Sequence, residues 1–225
     1  MLQLGRVEGP ADPRDANHLM GVVLSPILRA TVLPKSRYWY PGMVALDQGS
    51  VGACVGFAGT NWKQNSPTRT KVTNQDGLDL YYECKKIDGI PDIEGTYARA
   101  LLEVLRAQGK VQRYLWATSI DDVKAWVLGV GSVLVGTPWY EGMFDPDADG
   151  TIHLTGNVAG GHEYLIRGYS NPRKAYRCRN SWGATWGVGE GSNWSGRGGE
   201  FWVKEEDMNT LVFGDWGDAI GIVEA

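Results

Sequence analysis

Asp47-Gln48-Gly49-Ser50-Val51-Gly52-Ala53-Cys54-Val55-Gly56-Phe57 is the stretch on which the reading of this chain turns. Gly49 to Gly52 form a turn, and the small or apolar residues Cys54, Phe57, Ala58 and Trp62 then keep helical spacing, which predicts a helix beginning near Ala53. Cys54 falls in its first turn. Aligned backbone dipoles stabilise negative charge there, so the thiol is expected to ionise below its ordinary pKa. Gln48 lies just upstream, where the glycine turn can bring its amide back beside the sulfur. Its N–H groups and the Cys54 N–H could then meet a developing oxyanion. A cysteine after a glycine turn is also compatible with a small buried hydrophobe. Other residues must decide between the two.

Two further segments bear on that choice. In Gly160-Gly161-His162-Glu163-Tyr164-Leu165-Ile166-Arg167-Gly168-Tyr169 a histidine stands at the mouth of an alternating strand. In Arg179-Asn180-Ser181-Trp182-Gly183-Ala184-Thr185-Trp186-Gly187 an amide is followed closely by a large indole. A thiolate paired with a protonated imidazole is an activated nucleophile, and a third polar group that fixes the imidazole completes the logic of a triad.

The three segments together resemble the papain family of cysteine peptidases. They match Q-G-x-x-G-x-C-x-x-F, then G-H-x-x-x-x-x-G-Y, then N-S-W-G-x-x-W-G, in the family's order. The resemblance runs from about residue 35 to the end. It implies an α+β, two-lobed fold with an active-site cleft between a helical lobe and an antiparallel sheet lobe. It also implies hydrolysis of peptide bonds through an acyl-enzyme, a polypeptide substrate, and neither a metal nor an organic cofactor. By the same resemblance Cys54 is the nucleophile, His162 the general base and then acid, Asn180 the group that holds the imidazole, and Gln48 the oxyanion donor. Trp182 resembles the indole that shields the His–Asn contact, and Gly52 and Gly161 support the site. Two alternatives stay open: a peptidoglycan endopeptidase or amidase using the same residues, and a catalytically inactive binding module on the same fold.

The departures from the family pattern are specific. Val51 stands where the family commonly has a structural half-cystine, and Val55 where it commonly has an aromatic residue. His162 and Asn180 follow Cys54 at shorter intervals than the ~130–150 residues of many relatives, so trimmed loops are expected between the lobes. The family's glycine-glycine element is not found; Asp88-Gly89-Ile90-Pro91-Asp92-Ile93-Glu94-Gly95 occupies that region. Only about 45 residues precede the Gln48 motif, so any self-inhibition must use this short segment.

Along the chain, residues 1–45 carry Pro10, Pro13, Pro26, Pro34 and Pro41 without periodicity and read as an irregular arm, a strap or lid. The helical lobe is expected over about 46–130, with further helices over 78–86, from Thr96 as N-cap to Gly109 as C-terminal cap, and from Ser119 to Leu128. The sheet lobe is expected over about 131–225, with strands at 132–138, 151–154, 163–169, 175–179, 199–204 and 219–223.

A chain of 225 residues can bury a core without staples. The net charge of −4 and the absence of a run of Lys or Arg exclude the footprint of a nucleic-acid binder, and no apolar run reaches the ~18 residues that cross a bilayer. No secretory signal is visible, and three cysteines make a poor disulfide framework. Both favour a reducing, cytoplasmic setting, a pattern that a virion component or a protein exported without a signal would share, with Cys84 and Cys178 as buried free thiols. Asp145 to Ile152 begins like a calcium loop, but Gly156 stands where the bidentate Glu is needed, so the segment reads as a polar turn. His153 reads as an outward strand residue and His18 as part of the irregular arm, neither with a metal-ligand partner. The glycine-rich stretch 187–199 reads as a flap beside the cleft or as an inert loop.

Overall fold

A computed structural model describes residues 2–24, 32–65, 68–189 and 198–225. Helix α1 spans Cys54–Gln64, with Ala53 as N-cap and Cys54 as its first residue, as the spacing predicts. It is buried almost along its whole length and carries Gly56 and Gly59, which cost helix propensity. Gly56 has a packing reason. A Cβ there would lie 2.5 Å from the Gly77 carbonyl oxygen and 2.6 Å from the Tyr81 nitrogen, both on helix α2, Asn74–Lys85.

Helix α2 begins before the expected Leu78, because Thr73 and Asp76 form a capping box. Helix α3 spans Ala98–Ala107 and is capped by Tyr97, not by Thr96, whose backbone is used elsewhere. Gly109 follows it with φ +66°, the left-handed conformation expected of a terminal glycine. Ser119 caps helix α4, Ile120–Gly129, by accepting from the Asp122 N–H at 3.2 Å.

The strands are β1 (Arg37–Tyr38), β2 (Val111–Trp116), β3 (Val133–Tyr140), β4 (Val158–Ser170), β5 (Ala175–Arg179), β6 (Glu200–Lys204) and β7 (Asp218–Glu224). They form one antiparallel sheet in the order β2-β7-β3-β4-β5-β6, with β1 added against β4. The α+β architecture is therefore as expected, with two corrections to the strands. Residues 111–116 are a strand although they lie in the half of the chain read as mainly helical; Val111, Tyr114 and Leu115 are buried by pairing with β7, nearly at the other end of the sequence. Residues 151–154 are not a strand. The Asp147 and Asp149 carboxylates accept the Thr151 N–H at 2.9 and 3.1 Å, and Thr151 makes a single bridge to Trp202. His153 therefore lies on irregular chain just after that turn, 3.1 Å from Asp147 through Nε2. Helix α5, Glu205–Phe213, has three acidic residues in its first turn and was not anticipated.

The sheet is buried on both faces. Leu134, Leu165 and Ile220 pack with α1, α2 and α3, while Val133, Val135, Tyr164 and Ile166 face a second core that contains Trp126 of α4 and Met208 and Leu211 of α5. On the outer strands Glu200 is buried among Arg167, Arg177 and Arg179. Arg167 grips it bidentately at 2.6 Å through both Nε and Nη2. The three cysteines are buried and free. No helix of the described residues is long and apolar enough to cross a membrane. Of the expected flap at 187–199, residues 190–197 lie outside the described residues.

Candidate active site

The residues singled out from sequence converge where α1 meets β4 and the turn after β5. Asn180 follows β5, and its Oδ1 accepts the Ser181 N–H at 2.8 Å. Only an oxygen can accept there, so the orientation of the amide is fixed. The same oxygen lies 2.7 Å from His162 Nε2, which must therefore carry the proton. The imidazole is thereby held as the tautomer with its lone pair on Nδ1, a buried atom with no hydrogen-bond partner. Trp182 stacks on the ring at 4.6 Å between centroids, and Trp139 meets it edge-on at 4.8 Å. With this aromatic cover His162 is fully buried, and desolvation lowers its pKa to about 4 despite the Asn180 hydrogen bond.

Cys54 departs from expectation in one respect. It sits at the helix N-terminus, and the N–H groups of Glu163 and Val55 favour its thiolate. Yet burial pushes the thiol up to about 12, because desolvation outweighs those donors and the nearby charge of Arg6. The predicted low pKa belongs to a solvated cleft. Here the sulfur is fully buried, and Arg6 of the chain's N-terminal segment is near enough for its charge to act on it.

That segment lies across the cleft and is held by main-chain bonds to both lobes. On the sheet side, the Gly161 carbonyl accepts from the Arg6 N–H at 3.0 Å and from Gly5 at 3.3 Å. On the helical side, Thr96 donates to the Gly5 carbonyl at 3.0 Å and accepts from the Val7 N–H at 2.9 Å. The Gln3 carbonyl receives Gln48 Nε2 at 3.2 Å and the Trp182 indole N–H at 3.0 Å. Gln48 is braced for this, since its Oε1 accepts from Ser181 Oγ at 2.6 Å and its Nε2 also donates to the Val51 carbonyl at 2.8 Å.

Gly52 and Gly161 leave room for the segment. A Cβ on Gly52 would lie 3.0 Å from the Leu4 carbonyl oxygen, and one on Gly161 2.4 Å from that of Arg6. The structure thus gathers Gln48, His162, Asn180, Gly52, Gly161 and Trp182 around the N-terminal segment and places Cys54 beside them through the Glu163 N–H, while His162 Nδ1 makes no hydrogen bond to the sulfur. Thr96, preceded by Gly95, supplies the backbone pairing for which no glycine-glycine element was found. Sequence reading missed Thr96, Arg6, Glu163 and Asp218. A charged Glu163 inside a strand of buried residues was the available signal. Among the described residues no group of three or more His, Cys, Asp or Glu could hold a metal ion.

No family profile and no curated protein matches the sequence. Solved structures do match it. Xylellain, a cysteine protease from Xylella fastidiosa, superposes with a TM-score of 0.72 over 100% of this chain and 97% of its own, at 19% identity. Bromelain from Ananas comosus, in complex with the E64 inhibitor, gives 0.61 over 85% and 99% at 15% identity. The digestive procathepsin L2 of Tenebrio molitor gives 0.62 over 99% and 78% at 16% identity. At such identities the likeness speaks for the backbone alone. On that ground this chain has the fold of the papain-like cysteine proteases.

Proposed function

We propose that the chain is a cysteine-type endopeptidase that hydrolyses peptide bonds through an acyl-enzyme, with Cys54 as nucleophile, His162 as base and then acid, Asn180 as the group that orients it, and Gln48 as oxyanion donor. One observation carries this reading: an extended peptide already lies in the cleft, with a carbonyl oxygen on Gln48 Nε2 and its main chain gripped by Gly161 and Thr96. A site that binds main chain in this way suits a polypeptide.

The steps follow from the groups present. Once the N-terminal segment leaves, the Cys54 proton passes to His162 Nδ1 and the sulfur electron pair bonds the carbonyl carbon. The oxygen takes up the π pair and is met by Gln48 Nε2 and the Cys54 N–H. Collapse breaks the C–N bond while His162 returns the proton to the leaving amine. Water, deprotonated by His162, then attacks the thioester, and loss of the thiolate releases the acid.

The test offers a diverse peptide library and purified muropeptides to the full chain and to Arg6→Ala, which loosens the segment. Peptides should be cut and muropeptides left intact. Cys54→Ala should abolish turnover, and Gln48→Ala should lower kcat by roughly 10²-fold. Full activity in Cys54→Ala sinks the assignment. Turnover of muropeptides alone moves the substrate to the cell wall, and peptide binding without turnover leaves a binding module.

A further inference from the structure

Three adjacent strands place Asp218 of β7, Gly136 of β3 and Glu163 of β4 in one row, since Gly136 pairs with Asp218 on one side and with Glu163 on the other. Directly paired residues share a face of the sheet. Along the same face, the row of Leu165, Leu134 and Ile220 is apolar and packs against the helical lobe. The composition therefore changes from three aliphatic residues to carboxylate, glycine, carboxylate. The missing side chain makes a notch between two acids.

Arg6 fills the notch. A Cβ on Gly136 would lie 1.8 Å from Arg6 Nε, so the guanidinium occupies the space a side chain would take. Arg6 Nη2 donates to Asp218 Oδ2 at 2.7 Å, and Nε lies 3.2 Å from Glu163 Oε2. The Gly136 N–H donates to Asp218 Oδ1 at 3.1 Å and fixes that carboxylate. Arg6 is 7% exposed and Glu163 is fully buried, while the Asp218 side chain keeps 21% exposure, so the cation meets Glu163 away from bulk water and Asp218 at the edge of the solvent.

The geometry points to a specificity pocket: the Glu163–Asp218 pair selects an arginine side chain of the substrate, and Arg6 is its built-in occupant. This rests on the peptidase reading and names the class of peptide that the site takes. The same segment that brings Arg6 here makes the main-chain bonds to Gly161 and Thr96 and sets a carbonyl on Gln48, so side-chain and main-chain recognition act on one bound strand. An aliphatic side chain in the notch would leave Asp218 with the Gly136 N–H alone and Glu163 without a neighbouring cation. A lysine would bring a compact point charge, whereas the planar guanidinium hydrogen-bonds Asp218 through Nη2 while Nε faces Glu163 as an ion-pair partner.

The test uses full-length Arg6→Ala, whose notch is empty, and two labelled peptide libraries that differ only at one fixed position, arginine in one and its uncharged near-isostere citrulline in the other. Binding is read by fluorescence anisotropy and cleavage by mass spectrometry. The arginine library should bind about tenfold or more tightly, as expected for a desolvated charge-assisted contact. Adding Asp218→Asn should bring it down to the citrulline level. Equal binding of the two libraries overturns the pocket. Arginine-selective binding without cleavage upholds the pocket and removes the peptidase reading, while cleavage without selectivity does the reverse. If Arg6→Ala does not fold, Arg6→Met, which keeps the aliphatic stem and removes the guanidinium, takes the same libraries with the same criteria.

Discussion

Cys54 has two backbone N–H groups and a helix N-terminus in its favour, yet burial pushes its pKa up to about 12. Burial is the largest influence, and Arg6 also lowers the pKa by its charge, so removing Arg6 acts in both directions. Desolvation dominates. Arg6→Ala takes away the ion pairs that hold the segment down and should let water reach the sulfur. Alkylation of Cys54 by iodoacetamide at pH 7 should then be at least about tenfold faster than in the unaltered chain, because the thiolate is the reacting species. Peptide mapping reports each cysteine separately, and Cys84 and Cys178, buried away from the segment, should not change. An unchanged rate at Cys54 would mean that something other than the segment shields it. The positions of Cys54, His162, Asn180 and Gln48 were legible in sequence because each sits in a short motif that fixes its local geometry. The ionisation of Cys54 was not, because it depends on which residues cover the cleft.

The elements that sequence reading placed well are those whose signal is local. The glycine turn before α1, Ser119 before α4 and the alternation through β3 to β7 needed no distant partner to be recognised. Strand β2 was missed because its burial depends on β7, and residues 151–154 were overread because alternation there serves a turn held by two aspartates. Helix α1 holds the clearest conflict between local and tertiary demands. Alanine in place of Gly56 would gain about 1 kcal/mol of helix propensity. Its Cβ would press on the Gly77 carbonyl and the Tyr81 nitrogen of α2, both backbone atoms within 2.6 Å, and forcing two helices apart in a packed core costs about 1–3 kcal/mol. The second effect should win. Gly56→Ala is expected to lower the urea midpoint, with a fall in alkylation selectivity if α1 moves Cys54. A midpoint that rises would show that α1 and α2 separate without cost.

At the scale of the molecule, the N-terminal segment is tied to the sheet by residues that no short motif brings together; Arg6 and Asp218 lie 212 positions apart. That separation explains why the pocket was invisible in sequence while the motif residues were not. It also places two oppositely perturbed groups side by side on β4. His162 is lowered to about 4 by burial, so between that value and the ~6.5 of an unfolded chain the unfolded state binds the extra proton and stability falls as pH drops. Glu163 is raised to about 8, first by burial and then by Asp218, against the opposing pull of Arg6. The native chain keeps a proton that the unfolded chain loses near pH 4.3, so stability falls as pH rises through that window. From about pH 4.5 to 6.5 the two slopes oppose each other. Between about pH 6.5 and 8 Glu163 is the main contributor, and one proton per molecule amounts to about 1.4 kcal/mol per pH unit, or roughly 2 kcal/mol by pH 8; above that the buried thiols, raised by burial, add to the same downward slope. Scanning calorimetry from pH 5 to 9 should therefore give a Tm that is level to about pH 6.5 and then declines. Glu163→Gln, which keeps a neutral side chain of the same shape beside Arg6, should flatten the decline between pH 6.5 and 8. Parallel profiles for the two proteins over that interval would mean that Glu163 is already ionised in the native chain and pairs with Arg6 as a full charge.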